Sequence, residues 1–122
     1  MLPTKVLVVD DEPSIRLLCR INFELEGHEV LEADSLATVR ATLAEEDVDV
    51  VVLDVHLRGE RSDVLVGECH ARRPPIPVVL VTGSVDVTHP GLAEADAILS
   101  KPFELEALLS TVRELAEVHA HR

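Results

Sequence analysis

Four short aliphatic runs, each cut off by a polar residue, constrain this chain more than any other feature. Lys5-Val-Leu-Val-Val9 stops at Asp10 and Asp11, and Asp49-Val-Val-Val-Leu-Asp54 ends on its own aspartate. Ile76 to Val81 stops at Thr82, and Ala97-Ile-Leu-Ser100 stops at Lys101. Unbroken β-branched runs of this length are the pattern of strands covered on both faces, as in a parallel sheet.

The segments between the runs read as helices. After Pro13, the apolar positions Ile15, Leu18, Cys19 and Leu25 follow helical spacing to a C-cap glycine at Gly27, which places a helix over 13–26. Glu29 to Ala33 reads as a further strand and Leu36 to Ala44 as a second helix. A polar loop from Arg58 to Ser62 leads to a third helix through Ala71, and Pro74-Pro75 feeds the strand from Ile76. Pro90-Gly91 cannot sit inside a stable helix, so the fourth helix, within Ser84 to Ala95, is expected to be short, broken or displaced. Leu105, Leu108, Leu109, Val112, Leu115 and Ala116 mark one face of a closing helix. The alternation predicts an α/β fold, a doubly wound five-stranded parallel sheet with right-handed crossovers, in one domain over residues 1–122.

Composition narrows the functional classes. Hydrophobic residues make up 47% of the 122, yet Phe23 and Phe103 are the only aromatics, so the core must be aliphatic. A net charge of −12, from 23 acidic and 11 basic side chains, excludes the clustered cations of a nucleic-acid surface. Cys19 and Cys69 lack metal-type spacing, suit a reducing compartment and read as packing residues. With no 18-residue apolar span and no signal-peptide pattern, the expected location is the cytoplasm, away from the membrane.

In a doubly wound sheet, ligands bind beyond the carboxyl ends of the strands. Asp10, Asp11, Asp54, Thr82 and Lys101 all fall at such ends. Singly, each has an ordinary reading: a helix cap for Asp10 or Asp11, turn residues for Asp54 and Thr82-Gly83, a solvated cation for Lys101. Together they pose an electrostatic problem. Three convergent carboxylates repel, and one lysine cannot neutralise them. A hard divalent ion such as Mg²⁺, which prefers oxygen ligands, closes the charge balance. With it in place, a carboxylate can attack a phosphoryl group whose oxygens are held by Lys101 and the Thr82 hydroxyl.

Val8-Val9-Asp10-Asp11-Glu12, Val52-Leu53-Asp54, Val81-Thr82-Gly83 and Lys101-Pro102-Phe103 stand in the order found in one family. Over nearly its whole length the chain resembles the CheY-like receiver domain of bacterial two-component response regulators. The resemblance implies a flavodoxin-like (βα)5 fold with strand order 2-1-3-4-5 and phosphorylation of Asp54 by a sensor histidine kinase or phosphotransfer protein. It also implies that Asp11, Asp54 and the His56 backbone carbonyl ligate Mg²⁺, that Asp10 ligates through water, and that Thr82 and Lys101 hold the phosphoryl oxygens. A cis Lys101-Pro102 bond is implied as well. Such a protein switches partner binding and catalyses only its own phosphorylation and dephosphorylation.

Several positions depart from the family pattern. Ile98 stands where many relatives carry Tyr or Phe, Arg58 replaces a typical proline, and Ser62-Asp63 replaces a glycine. These departures favour an altered loop after Asp54 and keep open an alternative, an interaction module that works without phosphorylation. An aspartyl phosphatase using Asp10 fits poorly, because Glu12 stands where its acid belongs and a cap domain is missing. His56 and Ser84 are expected to flank the phosphoryl group as surface residues. His119-Ala-His121 reads as a frayed terminus, since residues two apart on a helix point in different directions.

Overall fold

The computed structural model describes residues 3–83 and 94–120, the last without its side chain. Five parallel strands form one sheet in the order β2-β1-β3-β6-β7: β1 Lys5–Val9, β2 Glu29–Ala33, β3 Val50–Asp54, β6 Val78–Thr82 and β7 Ala97–Ser100. Two-residue strands β4 (His56–Leu57) and β5 (Glu60–Arg61) pair antiparallel as a small hairpin. The helices are α1 (Pro13–Leu25), α2 (Leu36–Glu45), α3 (Val64–His70) and α4 (Leu105–Ala120). Discounting the hairpin, this is the expected 2-1-3-4-5 order. The expected break at Pro90-Gly91 and the position of Ser84 lie outside the described residues.

Alternation along each strand builds two cores. Leu7, Val9, Val51, Leu53, Val78 and Leu80 face α2 and α3, meeting Val39, Leu43, Leu65, Val66 and Cys69. Val6, Val8, Val50, Val52, Val79 and Val81 face α1 and α4, meeting Cys19, Phe23, Leu108, Leu109 and Val112. Both faces of the central strands are covered, so every position of β3 and β6 and the last four of β1 are buried, whereas the outer strands β2 and β7 keep exposed positions. Each fully buried Val or Leu contributes roughly 1.5–3 kcal/mol.

Local chemistry sets the boundaries. Pro13 occupies the first turn of α1, and its cap residue Glu12 makes no side-chain capping bond, so neither Asp10 nor Asp11 serves as the N-cap. At the other end Gly27, with φ of 91°, donates to the Glu24 carbonyl while His28 N–H donates to Phe23. This is the two-bond Schellman closure, which favours glycine at that position. Ser35 caps α2 by accepting the Thr38 N–H at 3.2 Å. The fourth long strand begins at Val78 rather than Ile76, because the Ile76 N–H turns back to the Cys69 carbonyl. The predicted polar loop from Arg58 instead carries the β4–β5 hairpin.

Candidate functional site

Strand ends bring the predicted residues together. Asp10 follows β1, Asp54 closes β3, Thr82 closes β6 and Lys101 follows β7. Asp10, Asp54 and Thr82 are buried, whereas Asp11 is exposed. One oxygen from each of Asp10, Asp11 and Asp54 lies within 4.8 Å of the others. Lys101 is fixed through its backbone N–H, which donates to the Thr82 carbonyl at 2.8 Å. Its Nζ lies 3.0 Å from Asp54 Oδ2 and 3.5 Å from Asp10 Oδ2. The Lys101-Pro102 peptide is cis.

Backbone donors orient the two buried carboxylates. Glu12 N–H donates to Asp10 Oδ1 at 2.9 Å, and His56 N–H donates to Asp54 Oδ1 at 3.1 Å. Burial still pushes the Asp10 carboxyl above its ordinary value, helped by the charge of Asp54 and opposed by the Glu12 N–H and by Lys101. For Lys101, burial alone would favour loss of the proton. The hydrogen bond to Asp54 and the charges of Asp10 and Asp54 outweigh it, and its pKa rises. One ammonium therefore pairs with the two buried carboxylates of a three-carboxylate cluster, and the donor set is all oxygen. A hard divalent cation fits this set on both spacing and charge.

Some contacts at the site carry no sequence signal. The Ser62 hydroxyl donates to the Asp54 carbonyl, Arg16 Nη1 donates to the Asp10 carbonyl at 2.7 Å, and Arg58 N–H donates to Asp11 Oδ2 at 2.9 Å. Each involves main-chain atoms, whose placement depends on loop geometry. His56 enters through its backbone N–H, while its side chain is exposed. Both cysteines are buried, and desolvation pushes their thiols up to about 11, with the Asp10 charge contributing at Cys19. His119 departs from the frayed-terminus expectation. Its side chain is 10% exposed, with Nε2 3.4 Å from Asp49 Oδ1 at the opposite edge of the sheet.

Residues 6–113 match the family described as the response regulator receiver domain. The chain belongs to this family. Among curated relatives, response regulator protein FleR of Pseudomonas aeruginosa is 36% identical over 111 residues, covering 88% of this chain and 24% of FleR. Transcriptional regulatory protein KdpE of Mycobacterium tuberculosis is 37% identical over 112 residues, covering 90% of this chain and 50% of KdpE. This receiver thus spans a quarter to a half of those two relatives. Its fold matches the signal receiver domain of an HD domain-containing protein from Pseudomonas fluorescens, with a TM-score of 0.89 at 22% identity, covering 99% of this chain and 100% of that one. TrrA of Thermotoga maritima, solved in complex with Mg²⁺-BeF, gives a TM-score of 0.82 at 26% identity, covering 92% and 98%. Among the described residues of this receiver, no helix is long and apolar enough to cross a membrane.

Proposed function

We propose that this receiver accepts a phosphoryl group on Asp54 from the phosphohistidine of a sensor kinase or phosphotransfer protein, in a Mg²⁺-dependent reaction in the cytoplasm. The observation that carries this reading is the pairing of Asp54 with Lys101 at 3.0 Å inside a three-carboxylate cluster. An Asp54 oxygen attacks phosphorus, the phosphorus–nitrogen bond breaks, and the imidazole nitrogen keeps the electron pair. Lys101 then moves its charge from the carboxylate to a phosphoryl oxygen, and the Thr82 hydroxyl donates to another. Asp10, Asp11, Asp54 and the His56 backbone carbonyl would hold the ion. When bound, Mg²⁺ supplies neutralisation of the charge gathered between carboxylates and phosphate.

The chemistry is stoichiometric: the protein acts on its own aspartate and turns over no external substrate, so it is a switch rather than an enzyme. The product adds roughly two negative charges at the strand end, enough to bias a neighbouring loop or surface. We read residues 1–122 as a single receiver, with its output addressed to a separate or fused partner.

Incubation with acetyl phosphate and Mg²⁺, followed by intact-mass measurement, should add one phosphoryl group to the wild type and none to Asp54→Asn. A wild type that stays unmodified under conditions that label a control receiver would refute the reading.

A further inference from the structure

Two residues join β4 to β5, Arg58 and Gly59, with φ of 50° and 80°. Positive φ at both central positions is the pattern of a type I′ hairpin turn, whose first position favours Asn, Asp or Gly. An arginine there is strained by about 1–3 kcal/mol and persists only where its surroundings over-determine it. Here they do so from two sides. Arg58 N–H donates to Asp11 Oδ2 at 2.9 Å. On the far side its guanidinium grips Asp34, with Nε 3.2 Å from the carbonyl and Nη2 2.5 Å from Oδ2. Asp34 is itself well placed as an anchor, following directly on β2, whose Ala33 carbonyl accepts the Asp10 N–H at 3.1 Å.

Asp11 differs from Asp10 and Asp54 in being exposed, so packing does not fix its rotamer. A neutral N–H on one of its oxygens leaves its charge and its other oxygen available to a cation. The arginine's positive charge is paired with Asp34. We propose that Arg58 is a positioning residue for the cation site: clamped to Asp34, it holds the hairpin tip so that its backbone aims the Asp11 carboxylate at Asp10 and Asp54. This rests on the Mg²⁺ reading given under Proposed function and adds a residue that sets the affinity.

The clamp makes a distinctive prediction, because an exposed ion pair adds little to stability, whereas loss of a group that orients a metal ligand weakens metal binding by about 10–100-fold. Calorimetric titration of the full chain with Mg²⁺ is therefore combined with thermal melting in chelator. Arg58→Ala and Asp34→Ala should each weaken Mg²⁺ binding by about 10-fold, and the double variant should be no weaker than the worse single. Arg58→Gly, which removes the guanidinium while relieving the backbone, should lose the same affinity without losing stability. Arg58→Lys should recover part of it. Ion-free melting temperatures of Arg58→Ala and Asp34→Ala should move by no more than about 2 °C, and that of Arg58→Gly should hold or rise as the turn strain is relieved.

Binding by Arg58→Ala within twofold of wild type, or weakening at Arg58 without weakening at Asp34, would overturn the clamp. Tighter binding by Arg58→Ala would show that the hairpin competes with the ion, which also overturns it. A wild type that binds no Mg²⁺ would instead remove the reading on which the clamp rests, so the two failures are distinguishable.

Discussion

The two edges of the central sheet treat charge in opposite ways. At the amino-terminal edge, Lys5 donates from its backbone to Asp49 Oδ2 at 2.8 Å and from Nζ to Glu46 at 3.1 Å, and His119 lies 3.4 Å from Asp49. Glu46 and Asp49 each meet a donor of their own there, and in that sense this edge is balanced. At the carboxyl-terminal edge three carboxylates crowd together, and the two buried ones share one lysine. Among the described residues, hollows of about 380 and 410 Å³ line the balanced edge, while a void of only about 10 Å³ lies beneath Asp10 and Asp54. Clustered charge therefore marks the candidate site where cavity size does not, and the proposed acceptor of phosphate and a small ion would need charge at an open strand end and no deep pocket.

A ligand should tell the two edges apart. Mg²⁺ should stabilise the wild type by about 2.7 kcal/mol at a hundredfold excess over its Kd, as any ligand of the folded site that ignores the unfolded chain would. Thermal melts with and without Mg²⁺ check this. Asp11→Ala should abolish most of the shift, whereas Asp49→Ala should retain it in full. An equal Mg²⁺ shift in Asp11→Ala would place the ion elsewhere.

A smaller effect comes from the balanced edge itself. Asp49→Ala strips a carboxylate from the Lys5 N–H and leaves His119, whose Nδ1 is already buried without a hydrogen-bond partner, with no counterpart at Nε2. Losing the acceptor for a part-buried donor should cost about 1–3 kcal/mol, read by chemical denaturation. Removing a carboxylate at one edge thus destabilises, and removing one at the other should not.

The sequence showed the crowded edge more clearly than the balanced one. Aliphatic runs ending in Asp10, Asp54, Thr82 and Lys101 were legible because a two-sided parallel strand admits no polar residue until it leaves the core. The hairpin after Asp54 was not legible: Arg58-Gly59 lacks the usual turn signature, and its conformation depends on contacts with Asp11 and Asp34, 47 and 24 residues away in sequence. His119 escaped for a related reason. Its spacing from His121 carried no metal signal, and nothing local revealed that the helix end would seat it beside Asp49.

Asp10 offers the finest test, because its carboxyl is held above the ordinary value of 3.8 chiefly by burial, despite the nearby ammonium. A raised carboxyl means that the native protein binds this proton more readily than the unfolded chain does. Stability from this group therefore falls as pH climbs from the unfolded value through the raised native one, and the penalty is constant above that window. Asp10→Asn removes both penalty and slope, so the ion-free variant should be more stable than wild type at neutral pH. Denaturation midpoints across the acidic range, in chelator, read the slope directly. Saturating Mg²⁺ should raise the wild-type stability at neutral pH and leave the variant nearly unmoved. A variant less stable than wild type without the ion would mean that Lys101 and the Glu12 N–H already compensate Asp10 fully, and the charge contrast between the two edges would then be carried by Asp11 and Asp54 alone.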